Sequence, residues 1–210
     1  MSGRGAGENG RRVRLSPEER RLQLITLGVE MLGDRALEDI SISEIAEQAG
    51  ISRGLLFHYF PTKQDFQLAI VQHANGQLLE RIAPDRSLPI PKMLRDSIAR
   101  YVDYVGENRA PYTALLRGPA STSPELLGLV DQTRDTIIGI ILTEAPVSAA
   151  ADQPRLKLAM RGWIAFVEET TLTWLRSEPI PRASLIDLLV ESLLALALSL
   201  NPELAAALRG

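Results

Sequence analysis

The sequence has 210 residues, of which 45% are hydrophobic and 23% charged, which is typical of a globular protein with a sizeable core. It has no cysteine and only two histidines, so we expect no disulfide, no metal site and no cofactor, and the composition suits a reducing cytoplasm. The net charge of −3 gives no global attraction to nucleic acid, so any DNA contact must come from a local basic surface.

The N-terminal segment predicts a basic tail followed by a capped helix. Residues 1–15 are rich in glycine and arginine and lack both hydrophobic periodicity and the apolar core of a secretion signal, so we expect them to be disordered. Ser16 and Glu19 have the spacing of a capping box, and Pro17 suits the first helical position. We therefore predict that the first helix begins at Pro17 and ends at Gly33.

Two short helices are predicted next, from a second capping box at Ser41 to Gly50 and from Arg53 to Tyr59, with Ser52 as the second cap. Gly50 tolerates the positive φ of a tight turn between them. Apolar residues are spaced so that the two helices pack together: Ile45, Ala46, Ala49, Ile51, Leu56 and Phe60. This is the pattern of a helix-turn-helix, whose second helix fits the major groove of DNA.

The remaining elements are also predicted to be helices, because no stretch alternates with period two for long enough to form a strand. Thr62 caps a connecting helix over residues 63–82, about 30 Å long. After a proline-rich break, helices are expected at 91–107, 110–118, 124–145, 154–177 and 182–200. The predicted fold is all-α, with a three-helix helix-turn-helix domain at 16–63 and a helical ligand-binding and dimerisation domain at 64–210.

The helix-turn-helix segment resembles the TetR family of transcriptional regulators, including its actinobacterial members. Ten positions match the family pattern: Ile45, Ala46, Ala49, Gly50, Ser52, Gly54, Leu56, Tyr59, Phe60 and Lys63. The resemblance implies a homodimer that binds a double-stranded DNA operator through this segment and a small ligand through the rest of the chain. Leu55 and Phe57 depart from the pattern, because relatives often carry threonine and tyrosine there.

Seven residues are candidate DNA contacts: Ser41, Ser52, Arg53, Leu55, His58, Tyr59 and Lys63. Arg53 can pair bidentately with guanine, and Leu55 can pack on a thymine methyl group. Lys63 lies at a helix start, where its ammonium group and free backbone N–H groups favour a phosphate, and Tyr59 resembles the family's phosphate-binding tyrosine. Ser41 and Ser52 could instead be plain caps, and we expect Phe57 to be a core residue.

The apolar residues of the C-terminal half of the chain predict a small lipophilic ligand, because ligand pockets are mostly apolar with few polar anchors. Ten candidate ligand-binding residues are Met93, Tyr101, Tyr104, Leu116, Ile137, Met160, Trp163, Phe166, Val167 and Glu168, with Leu115 a further lining candidate. Glu168 is the expected polar anchor. For each of these residues, plain core packing is the alternative.

The last two predicted helices are apolar around most of their circumference, so we expect them to pair with their copies in a second subunit as a four-helix interface. An ordinary intramolecular core is the alternative. Residues 185–200 are shorter than a typical membrane span and include Asp187 and Glu191, so no membrane partner is expected. A dimer would place two recognition helices about 34–36 Å apart, as a palindromic operator requires.

These features predict a transcriptional repressor that a small apolar ligand releases from its operator, with activation still open. The protein is expected not to be an enzyme. Residues 50–54 formally match the nucleophile elbow of hydrolases at Ser52, but that motif needs a preceding strand and a histidine and an acid downstream. A hydrolase and a helical protein-binding module without DNA binding remain the two alternatives.

Overall fold

The structure, a computed structural model, describes residues 15–118, 123–144, 154–200 and 202–209; the predicted basic tail, apart from Leu15, lies outside these ranges. Within them all regular secondary structure is helical, so the predicted all-α class is confirmed. The α-helices are α1 Pro17–Met31, α2 Ile42–Gln48, α3 Arg53–Tyr59, α4 Lys63–Arg81, α5 Ile90–Glu107, α6 Arg109–Arg117, α7 Pro124–Glu144, α8 Pro154–Ser177, α9 Arg182–Leu200 and α10 Pro202–Arg209.

Local capping explains where the first helices begin. The Ser16 hydroxyl accepts the Glu19 N–H at 3.1 Å, and the Glu19 carboxylate accepts the Ser16 N–H at 2.7 Å, which is a complete capping box. The second predicted box forms only in part. Ser41 accepts the Glu44 N–H, but the Glu44 carboxylate pairs with Arg35 at 2.7 Å instead of reaching back to Ser41. An ion pair therefore replaces half of the predicted box.

The helix-turn-helix packs on a small core of its own. Leu24 of α1, Ile45 of α2 and Leu56 of α3 have no exposed surface, and the rings of Phe60 and Phe66 meet edge to face at 5.0 Å. Gly50 turns the chain between α2 and α3 with a φ of +64°, the conformation that glycine adopts without strain. The sequence-predicted packing of α2 on α3 is confirmed.

Gly28 lets α1 and α4 approach closely, a feature that the sequence did not reveal. A Cβ atom there would lie 2.4 Å from Ile70 Cδ1 and 3.1 Å from Phe66 Cζ. We expect Gly28→Ala to lower the free energy of unfolding by about 1–2 kcal/mol through overpacking, measured by urea denaturation. Gly76→Ala is the matched control, since its Cβ would meet no neighbour within 4 Å, and it should raise stability by about 0.5–1 kcal/mol. Equal effects of the two variants would contradict this packing.

A second, larger core lies in the C-terminal part, where α5, α8, α9 and α10 pack together. The two cores are not cleanly divided at residue 63. Phe66 and Ile70 of α4 belong to the first core, whereas Leu78 belongs to the second. Leu126 of α7 is buried in the first core, with Leu115 of α6 packed against the same cluster. Helices α6 and α7 therefore contribute to the core that α1, α2, α3 and α4 share.

Helix α9 corrects the membrane argument made from the sequence. Its 19 residues, Arg182–Leu200, are long and apolar enough to cross a membrane by length and composition, so length does not exclude a span. The core helix of a soluble protein passes the same test, and α9 contacts α5, α8 and α10. Leu189 and Leu193, on its inner side, have no exposed surface. The apolar composition of α9 is therefore explained in part by packing within the chain.

Candidate DNA-binding surface and ligand cavity

Helix α3 presents one buried and one exposed side. The Ser52 hydroxyl accepts the Leu55 N–H at 3.1 Å, which fixes the start of α3 at Arg53, and Leu56 anchors the helix in the core. The opposite side exposes Arg53, Leu55, Phe57 and His58. The prediction that Phe57 is a core residue is wrong: 44% of it is exposed, because Leu56 and Phe60 already fill the inner side of the helix.

The seven candidate DNA contacts lie on α3 or at the starts of α2, α3 and α4. Arg53 is exposed, and its Nη1 donates to the Ser43 hydroxyl at 3.4 Å, a long bond that is easily exchanged for another acceptor. His58 is exposed and meets the half-buried Tyr59 edge to face at 5.7 Å. Lys63 is exposed, and its Nζ donates to the backbone oxygen of Glu38.

The three remaining candidates have simpler surroundings. Ser41 and Ser52 both cap helices, which was the alternative role expected for them from the sequence. Leu55 is 39% exposed. A hydroxyl that accepts a backbone N–H keeps its own hydrogen to donate, so capping leaves a phosphate contact chemically available. The contacts of the seven candidate residues with DNA stay predictions.

The C-terminal part contains an apolar cavity of about 140 Å³, measured as the space open to the centre of a water molecule. Helices α4, α5, α6, α7, α8 and α10 line it. Seven of the ten residues predicted to bind ligand lie in its wall, together with Leu115: Met93, Tyr101, Leu116, Ile137, Trp163, Val167 and Glu168. Their role in binding a ligand stays a prediction.

Three predicted residues lie outside the cavity wall. The Tyr104 hydroxyl donates to the backbone oxygen of Ala74 at 3.1 Å, so this side chain points toward α4. Met160 is fully buried in the core, and Phe166 is 40% exposed on the outer side of α8. The helical spacing of apolar residues predicted burial in general but did not separate core, cavity and outer surface.

One end of the cavity is polar. The hydroxyls of Tyr101 and Tyr112 are 3.0 Å apart, and burial raises the pKa of both tyrosines, with the nearby Glu168 carboxylate acting in the same direction. Both hydroxyls therefore stay protonated at neutral pH. Glu168 accepts two hydrogen bonds from Arg134, at 3.1 Å from Nε and 2.7 Å from Nη2. This bond raises the pKa of the Arg134 guanidinium, so Arg134 stays positively charged.

Sequence reasoning missed Tyr112 and Arg134. Tyr112 lies in α6, where only Leu115 and Leu116 are candidates from the sequence. The spacing between Tyr101 and Tyr112 along the chain does not show that their hydroxyls meet. Arg134 lies in the cavity wall, but the apolar pattern that predicts such a wall does not include charged residues. The available signal was Glu168, a lone carboxylate on the apolar side of a helix, because a buried acid generally needs a basic partner.

A helix-turn-helix with an exposed second helix, joined to a helical body that contains a cavity, defines the class of helix-turn-helix transcription regulators. Residues 24–70 match the bacterial regulatory proteins of the tetR family, and residues 90–196 match the tetracyclin repressor-like C-terminal domain. The second match alone covers half of the chain. The protein therefore belongs to the TetR family of transcriptional regulators.

Similar proteins cover nearly the whole chain. A tetR-family regulator from Streptomyces coelicolor of known structure is 37% identical, with 93% of this chain and 89% of that one aligned and a TM-score of 0.77. The transcriptional activator FasR of Mycolicibacterium smegmatis is 24% identical over 187 residues, 88% of this chain and 85% of FasR. Bacillus subtilis FadR in complex with stearoyl-CoA shares the fold, with 21% identity, 80% and 96% coverage and a TM-score of 0.63.

The hydrolase alternative is wrong, because the family consists of transcriptional regulators and not of enzymes. The local structure gives the physical reason. Helix α2, and not a strand, precedes Ser52, and the Ser52 hydroxyl is engaged as the cap of α3. The nucleophile elbow needs a strand before the serine. The match over residues 50–54 arises from the glycine turn and the cap of the helix-turn-helix.

Proposed function

We propose that the protein is a cytoplasmic, homodimeric repressor that binds a palindromic operator through α3 and leaves it when an apolar ligand fills the cavity. The observation that carries this proposal is the pairing, in one chain, of an exposed recognition helix with an apolar cavity whose walls touch the helix-turn-helix core. Membership of the TetR family supports DNA binding and regulation of transcription. The ligand, the symmetry of the operator and the sign of regulation belong to the proposal.

The proposed dimer interface is the outer side of α8 and α9. Exposed apolar residues recur there: Leu158 and Phe166 on α8, and Leu188 and Leu198 on α9. Small residues, Gly162 on α8 and Ala195 on α9, are exposed between them and permit close approach of a second copy. An isologous four-helix contact would cover these side chains and hold two α3 helices at the separation of successive major grooves.

The proposed route from ligand to DNA runs through α6 and α7 in addition to α4. Leu115 of α6 lines the cavity and also packs against the helix-turn-helix core, where Leu126 of α7 is buried. Glu125, beside Leu126, lies next to Gln64 at the start of α4. A ligand that moves α6 would therefore disturb the support of the helix-turn-helix. Such couplings between sites are usually about 1–3 kcal/mol.

The proposed ligand is lipophilic, because apolar side chains dominate the cavity wall. The Bacillus subtilis regulator FadR was crystallised with stearoyl-CoA, which has a long apolar chain. Since that protein is similar to this one in fold, it gives a precedent for a chain-like ligand in this architecture. Stearoyl-CoA is therefore a suitable first compound in a DNA-release assay.

Replacing Arg53 by alanine should weaken binding to an operator selected from the protein's own upstream DNA by about 10- to 100-fold, through loss of a bidentate contact to guanine. The measurement is a fluorescence-anisotropy titration at fixed salt concentration. Lys92→Ala is the control, because it also removes one exposed positive charge, at the start of α5. Normal binding by Arg53→Ala would contradict this docking. If the unaltered protein leaves the DNA unbound, a protein-binding module becomes the better interpretation.

Activation is a second candidate, because FasR, which aligns over most of its length, is named an activator. Repression and activation predict opposite results when transcription is measured after deletion of the gene. Deleting the gene should raise transcription from the selected operator if the protein is a repressor and lower it if the protein is an activator. Purified protein added to a transcription reaction in vitro gives the same distinction without indirect effects.

A further inference from the structure

The cavity wall extends along α7, with a charged residue at each limit of that stretch. One side of α7 contributes Arg134, Ile137, Ile141 and Glu144 to the wall, spaced three or four residues apart. Ten residues separate the first from the last, which corresponds to about 15 Å along the helix. The tyrosine pair lies near the Arg134 end, and isoleucines and leucines occupy the length between the ends. This length suits an apolar molecule lying along α7.

Every charged side chain in the cavity wall is already paired within the protein. These residues are Arg134, Glu144 and Glu168. Glu168 takes both of its bonds from Arg134, while Glu144 accepts two bonds from Arg86, at 3.0 and 2.8 Å. A charged ligand group would enter an apolar space without an opposite charge free to receive it, which is costly. The wall therefore favours an uncharged ligand.

The tyrosine pair has unused hydrogen-bonding capacity. A phenol hydroxyl has one hydrogen to donate and lone pairs that accept, so the bond between Tyr101 and Tyr112 uses one of the two hydrogens of the pair. The second hydrogen has two places to go, the buried Thr171 hydroxyl beside Tyr101 and the cavity. Both tyrosines line the cavity. A ligand oxygen in the cavity would accept this second hydrogen and so complete the hydrogen bonding of the pair.

We propose that the cavity selects an uncharged, elongated apolar molecule whose hydroxyl or carbonyl oxygen hydrogen-bonds to the Tyr101–Tyr112 pair. This inference rests on the proposed function of the cavity and adds the head group that the cavity recognises. The pair replaces Glu168, the anchor expected from the sequence, because the Glu168 carboxylate is held by Arg134.

Three probes with the same ten-carbon chain test the head group: 1-decanol, decanoate and decylammonium. Binding is followed by tryptophan fluorescence, to which Trp163 in the cavity wall contributes, and by calorimetry. We expect 1-decanol to bind at least about tenfold more tightly than either ion, since each ion would bury an unpaired charge. The double variant Tyr101→Phe/Tyr112→Phe should bind 1-decanol about tenfold more weakly than the unaltered protein.

Tyr104→Phe is the matched control, because its hydroxyl bonds to Ala74 and Tyr104 lies outside the cavity wall. It should leave the affinity for 1-decanol unchanged. The single variant Tyr112→Phe, with thermal melts of each protein, separates loss of binding from loss of folding. Equal or tighter binding of decanoate, or unchanged binding by the double variant, overturns the inference. Release from DNA by stearoyl-CoA without binding of 1-decanol would overturn it while leaving the proposed function intact.

Discussion

Replacing Phe166 and Leu188 together by glutamate should convert the protein to a monomer and lower its affinity for operator DNA by about 100-fold or more. Both side chains are large, apolar and exposed on the outer side of α8 and α9. In the proposed dimer they would be covered by a second copy, so each substitution would bury an unpaired charge twice in one symmetric interface. A monomer retains one recognition helix and loses the second half-site.

Sedimentation and anisotropy titration measure the two parts of this prediction. Leu127→Glu is the matched control, because Leu127 and Leu188 have the same exposure, 43%, and Leu127 lies on α7. The control should remain dimeric and bind DNA normally. A double variant that stays dimeric would place the interface elsewhere, and a monomer that binds the full operator with unchanged affinity would remove the need for two subunits.

Replacing Arg134 by methionine should lower the free energy of unfolding by about 2–3 kcal/mol, because it leaves the Glu168 carboxylate without its partner in an apolar wall. Glu168 is only 13% exposed, so water compensates little for the lost bonds. The additional variant Arg134→Met/Glu168→Leu should recover most of this loss, since replacing both partners removes the unpaired charge. Urea denaturation of the single and double variants measures the coupling.

Arg117→Met is the control for this series, because it breaks an ion pair whose partner Glu169 is 62% exposed. An exposed pair of this kind contributes about 0–1 kcal/mol, so the control should change stability little. If the variant at Arg134 were no less stable than the control, the pair with Glu168 would not be a structural part of the cavity wall. A double variant less stable than the single one would indicate that Glu168 has a further partner.

Elements with strong local signals were predictable from the sequence. The serine caps, the proline at the start of α1 and the glycine turn at Gly50 determine helix ends through bonds between near neighbours, and the helix-turn-helix follows from them. The short helical turn at Leu37–Asp39 and α10 were not predicted. The turn at 37–39 is held by distant partners, since Lys63 and Gln67 bond to its backbone.

Candidate site residues were predictable from the sequence only where their position within a single helix determines whether they are exposed. Arg53 and His58 are exposed on α3, as expected for residues that meet DNA. The cavity depends on contacts between distant helices, such as Tyr101 with Tyr112 and Arg134 with Glu168, and no spacing within one helix shows them. Phe166 and Met160 illustrate the same limit, because the apolar residues of α8 serve an outer surface, a core and a cavity at once.

The burial of Leu126 in the core that α1, α2, α3 and α4 share has a consequence for protein engineering. A chimera that joins residues 15–82 to the body of a different regulator would lose this leucine and the neighbouring support from Leu115. The transferred DNA-binding segment would then have a cavity in its core, unless side chains of the new body fill it. A chimera that exchanges DNA specificity between family members must therefore also include the junction of α6 and α7. The transferable unit is then made of two separate parts of the chain.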